Sequence, residues 1–131
     1  MAGTDRTKKS EAKQAPGPAV ILVAPQLGEN IGTAARAMLN FGLTDLRLVR
    51  PRDGWPNERA RAAASGADVV IDNVQVFERT EDAITGLDYV IATTARARGM
   101  VKPILTPETA ALRMREAFAG GGGAGLLFGP E

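Results

Sequence analysis

The patterned part of the 131-residue chain opens with a continuous apolar run, AVILVA at residues 19–24. Such a run suits a strand covered on both faces, as in a parallel sheet. Pro25 ends it, and the spacing then changes to that of a helix. Ile31, Ala34, Ala35, Met38, Leu39 and Gly42 fall at i, i+3, i+4, i+7, i+8 and i+11 and form one apolar face. Asn30 is the expected cap of this helix, and Gly28 and Gly32 are expected to let the backbone turn tightly and approach a ligand. Arg36 projects with Thr33 and Asn40 from the opposite side, where an arginine stays solvated or reaches a ligand.

Further along, residues 46–49 predict a short strand, followed by a loop over residues 50–56 marked by two prolines and a glycine. Trp55, the only tryptophan, lies in this loop. It either stacks on a base or folds onto the domain surface, and Arg47, Arg50 and Arg52 either meet phosphates or stay solvated. A helix is expected over residues 57–64, ended by Ser65-Gly66. Residues 69–71 read as a brief strand, residues 74–77 as another, and Thr80 as the cap of a short helix reaching residue 84. The next strand is predicted over residues 87–92. Its exit, Thr93-Thr94-Ala95-Arg96-Ala97-Arg98-Gly99, sets small hydroxyl residues and arginines at a strand end, where ligands collect in open α/β sheets. Thr106 and Pro107 then start a helix running to about residue 119, a run of glycines follows, and residues 124–128 form the last strand. The alternation of strands and helices predicts an α/β fold, a Rossmann-like, mostly parallel sheet with helices on both faces.

Composition narrows the chemistry. Neither cysteine nor histidine occurs, which excludes a disulfide framework, a Cys/His zinc site, a thiol nucleophile and a histidine base. No metal is expected. No apolar run approaches membrane-spanning length, and residues 1–13 lack the apolar core of a secretory signal, so the expected location is cytoplasmic. Residues 1–18 read as a disordered basic tail and residues 19–131 as one domain. The net charge of +1 is not the basic balance of a typical nucleic-acid-binding domain, so composition alone does not point to RNA.

Three motifs point further. Asn30-x-Gly32-x-x-x-Arg36 with Phe41-Gly42, the Thr93-Thr94-Ala95-Arg96-x-Arg98 segment, and Leu127-Phe128-Gly129-Pro130-Glu131 occur in the order and separation found in the SpoU (TrmH-type) branch of the SPOUT RNA methyltransferases. The chain resembles that branch over roughly residues 19–131, and its first motif is most similar to the TrmJ-type subfamily, which methylates a ribose 2′-hydroxyl in the tRNA anticodon loop.

The resemblance implies S-adenosylmethionine as cofactor, RNA and most specifically tRNA as partner, and a homodimer. Carried over residue by residue, it implies catalytic roles for Arg36 and Glu131. Thr93, Thr94, Ala95 and Gly129 would bind the cofactor, and Asn30, Arg96 and Arg98 the RNA. It also implies the front part of an α/β-knot domain, because a further, knot-forming C-terminal motif of the family is absent from this sequence. Two rival readings remain. One is an inactive fragment that keeps only an RNA-binding or dimerisation surface. The other is a dinucleotide-binding oxidoreductase domain, disfavoured because Gly28 and Gly32 lack the G-x-G-x-x-G spacing.

Overall fold

The computed structural model describes residues 17–93 and 105–130. Their elements are β1 (Ala19–Val23), α1 (Gly28–Asn40), β2 (Leu46–Val49), α2 (Glu58–Ala64), α3 (Asp68–Asp72), β3 (Gln75–Phe77), α4 (Thr80–Ala83), β4 (Tyr89–Thr93), α5 (Pro107–Ala119) and β5 (Ala124–Phe128). The five strands form one sheet in the order β3-β2-β1-β5-β4, and all four pairings are parallel. This is the α/β architecture the alternating pattern predicts.

The register divides each strand between two faces. Val20 lies opposite Leu46 and Leu126, and Leu22 opposite Leu48 and Phe128. Val20, Leu46 and Leu48 are buried in a core with Ile31, Ala35 and Met38 of α1, Ala60 and Ala64 of α2, and Val70 and Ile71 of α3. The alternate residues, Ala19, Ile21 and Val49, face the other way and pack with Ala83 of α4, Phe77 and Leu127. Continuous apolar strands thus arise because both faces are covered.

Local caps close the helix ends, among them the Thr106–Pro107 start that the sequence reading assigns. The Asn57 side chain accepts from the backbone N–H groups of Arg59 (2.9 Å) and Ala60 (3.2 Å) at the start of α2. Thr106 accepts from Thr109 at 3.1 Å, with Pro107 in the first turn of α5. Gly42, at φ 75°, ends α1, with the Leu43 N–H donating to the Met38 carbonyl at 2.9 Å.

Other expectations are corrected. Residues 69–71 are not a strand but belong to helix α3, since Val70 and Ile71 both turn inward to the core shared with α1 and α2. A three-residue apolar run carries no period that distinguishes the two. Thr80 lies inside α4, whose cap position is Arg79. Asn30 lies in the first turn of α1, whose cap position is Leu27 and has no side-chain cap. The buried stripe of α1 is Gly28, Ile31, Gly32, Ala35 and Met38, rotated from the predicted face so that Leu39 is 37% exposed.

That rotation comes from α2, the helix against which α1 packs most extensively. Gly28 and Gly32 do not line a turn beside a ligand. A Cβ at Gly28 would sit 2.6 Å from Asn57 Oδ1, and one at Gly32 would run into the Ala60 carbonyl oxygen and lie 2.7 Å from Ala63 Cβ. Their missing side chains let the two helix backbones approach. Alanine at an exposed helix position would gain about 1 kcal/mol over glycine, but here overpacking against backbone costs roughly 1–3 kcal/mol. Gly32→Ala is therefore expected to lower stability by about 1 kcal/mol, measured as a reduced midpoint in urea denaturation. An unchanged or raised midpoint refutes the close-packing role.

Candidate functional site

Moving outward from β1, the chain builds β2 and β3 on one side, then crosses to β4 and returns to β5 on the other. The strand order reverses between β1 and β5, and the crevice outside the carboxyl ends of such a pair is where α/β sheets take ligands. A groove of about 410 Å³ runs along the face of these two strands and opens at their carboxyl ends. Its floor includes Val20 and Leu22 of β1 with Leu126 and Phe128 of β5, its wall includes Ala34 and Ala37 of α1, and Pro25, Asn30 and Gly129 also line it.

The fold therefore brings Asn30 of the first motif and Gly129 of the third into one groove. Thr93 is paired with Phe128 at the end of β4, exposed, its hydroxyl 3.4 Å from the Leu127 carbonyl. A Cβ placed on Gly129 would meet nothing within 4 Å, so this strand exit has open space in front of it. Arg36 is exposed on α1 and is not among the groove-lining residues. Thr94, Ala95, Arg96, Arg98 and Glu131 lie outside the described residues.

Electrostatics separate the arginines. Arg47 points to the α4 side of the sheet, where it holds the Asp45 carboxylate at 2.9 and 3.1 Å and donates to the Ala83 carbonyl at 2.7 Å. Its side chain is only 15% exposed, so it is a structural tie and not a phosphate contact. Arg52 pairs with Asp53 at 3.1 Å, and this guanidinium holds the Asp53 carboxyl below its usual range. Arg61 bridges Asp68 and Asp72, chiefly through its hydrogen bond to Asp72, which raises its own pKa. Glu81 is held low first by its own backbone N–H and then by Arg79, 3.7 Å away. Trp55 packs against the core around α1 and α2, half-buried, which is the packing outcome of the two expected for it.

Sequence reasoning missed the apolar lining of the groove. Leu126 and Phe128 occupy alternate positions of their strand, a signal that marks a face, but only pairing with β1 reveals which face and what lies beside it.

Comparison with known proteins agrees with this geometry. The family model described as the SpoU rRNA Methylase family matches residues 17–131. The chain is 40% identical over 112 residues to the tRNA (cytidine/uridine/adenosine-2′-O-)-methyltransferase TrmJ of Pseudomonas aeruginosa (strain UCBPP-PA14), covering 86% of this chain and 43% of that protein. It is 38% identical over 112 residues to the tRNA (cytidine/uridine-2′-O-)-methyltransferase TrmJ of Citrobacter koseri, covering 86% of this chain and 45% of that protein. Among solved structures, the crystal structure of TrmJ from Z. mobilis ZM4 superimposes with a TM-score of 0.83 at 60% identity, covering 88% of this chain and 50% of that one. The chain spans about half the length of these relatives.

Removing the Arg47 side chain leaves the Ala83 carbonyl and the half-exposed Asp45 carboxylate without their charged partner. Arg47→Ala is expected to cost about 1.5 kcal/mol in chemical denaturation, read as a lowered midpoint. An unchanged midpoint overturns the structural assignment.

Proposed function

The chain belongs to the SpoU rRNA methylase family, and from that premise we propose that it serves S-adenosylmethionine-dependent methylation of a ribose 2′-hydroxyl in tRNA. What supports this reading is the groove at the reversal of strand order, which joins residues of the first and third motifs although they lie far apart in sequence. A cytoplasmic setting and pairing with a second copy belong to the same proposal. Phe41, 80% exposed just beyond α1, is an apolar group that such pairing would cover. Among the described residues no helix is long and apolar enough to cross a membrane.

The described residues fit the cofactor. Thr93 offers a hydroxyl, Gly129 leaves open space at the neighbouring strand exit, and the groove floor is apolar enough to take a flat ring. Thr93, Gly129, Thr94 and Ala95 are the residues assigned to hold it. When bound, S-adenosylmethionine supplies a sulfonium methyl group as electrophile.

The chain's own task is to orient the ribose and stabilise the negative charge that develops on its 2′-oxygen. Arg36 suits the second part. It is exposed and makes no hydrogen bond or ion pair among the described residues, so its planar set of donors remains available to an oxyanion or a phosphate. As a guanidinium, its side chain acts as a fixed charge and not as a proton acceptor. Glu131 is assigned to the catalytic end of the site, and Asn30, Arg96 and Arg98 to the RNA. The proposal uses no metal.

Arg36→Ala is expected to reduce transfer of labelled methyl groups to a tRNA transcript by roughly a hundredfold or more while leaving S-adenosylmethionine affinity unchanged. Unaltered methylation removes Arg36 from the chemistry.

A second reading is that the described fold only binds RNA or pairs with a second copy. Calorimetric titration with S-adenosylmethionine decides between them. Saturable binding that Gly129→Val abolishes supports the enzyme reading, whereas no heat above dilution supports the binding-only one.

A further inference from the structure

At the exit of β2, Arg50 adopts a left-handed backbone at φ 45°. Glycine takes this conformation without strain, whereas a residue with a Cβ pays for it. The backbone at this point needs the turn, since the Arg50 N–H donates to the Phe77 carbonyl at 3.0 Å and Ala24, at the exit of β1, turns the same way at φ 51°. The turn itself does not need an arginine. What distinguishes arginine from glycine here is its side chain.

That side chain is oriented but not neutralised. Arg50 Nη1 donates to the Glu78 backbone carbonyl at 2.7 Å, a neutral acceptor that fixes the guanidinium over the ends of β2 and β3. Its remaining donors have no partner among the described residues. Nearby guanidinium groups differ, since Arg52 is paired with Asp53, Arg59 with Glu29 and Arg79 with Glu81. Glu81 lies within Coulombic reach of Arg50, but Arg79 is its ion-pair partner. The loop is also tied to the groove, because the Arg52 N–H donates to the Pro25 carbonyl at 3.0 Å and Pro25 lines the groove.

We propose that Arg50 is a positioning residue for RNA, holding a backbone phosphate at the exits of β2 and β3 while a neighbouring nucleotide enters the groove between β1 and β5. A guanidinium held by a backbone carbonyl keeps both its full charge and a free edge, the requirement for gripping a phosphodiester through paired N–H donors. The proposal rests on the RNA reading above and adds to it the residue that sets where the strand lies.

The test is fluorescence-anisotropy binding of a tRNA transcript to the 131-residue chain across a salt series, with thermal melting of each variant. Arg50→Gly is expected to keep its melting midpoint, because glycine suits the left-handed backbone. It is expected to weaken binding roughly three- to tenfold and to lower the slope of log affinity against log salt by about 0.7–0.9, the share of one phosphate contact. Arg50→Lys, which keeps the charge, should retain most of the slope. A lowered midpoint with unchanged affinity and slope overturns the proposal and makes the Glu78 contact a structural clamp. If the unaltered chain binds no tRNA at all, the RNA reading itself falls and takes this inference with it; if it binds and Arg50→Gly binds identically, only this inference falls.

Discussion

The described candidate residues Asn30, Thr93 and Gly129 owe their place to β1 being hydrogen-bonded in parallel on both of its edges, to β2 on one side and β5 on the other. A strand in that position has no free edge, and both its faces must be covered, which is why residues 19–23 are apolar without alternation. Parallel pairing also sends the exits of all five strands to one edge of the sheet. Pro25, Arg50, Thr93 and Gly129 follow four of those exits or, for Thr93, end the strand itself. The site is thus a consequence of sheet direction before any side chain is considered.

Two further constraints shape that edge. The glycines of α1 let α2 come within backbone contact, and this fixes the rotation of α1 about its axis. With Gly28 and Gly32 turned toward α2, Ala34 and Ala37 face the groove, Ile31, Ala35 and Met38 face the core, and Arg36 is left on the exposed side. One helix serves three environments because residues 100° apart see different neighbours. A single added methyl at Gly32 disturbs all three at once.

Charge is distributed with equal economy. Most of the described arginines near the sheet are committed to carboxylates, so among the described residues few guanidinium groups are left uncancelled at the strand exits. Surface pairs of this kind contribute little to stability. Their effect on function is to restrict where an anion is attracted. Arg36 and Arg50 are among the described arginines that no carboxylate holds: one is exposed on α1, and the other is held by a neutral carbonyl.

Much of this was legible in the order of residues alone. Local rules reach only a few positions along the chain, and they suffice for the apolar strand at residues 19–23, the Thr106–Pro107 helix start, the strand at residues 124–128 and the exclusion of thiol and imidazole chemistry. Motif resemblance named the family. What the sequence did not carry was anything set by partners distant in the chain. Val70 and Ile71 became helical because a core from three helices receives them, and Gly32 proved to be a contact between helices. Arg47 was withdrawn to Asp45 and Ala83. Above all, the insertion of β5 beside β1 put Gly129 in the same groove as Asn30, a juxtaposition decided by which strands pair, and strand pairing is a property of the whole sheet that no short stretch encodes.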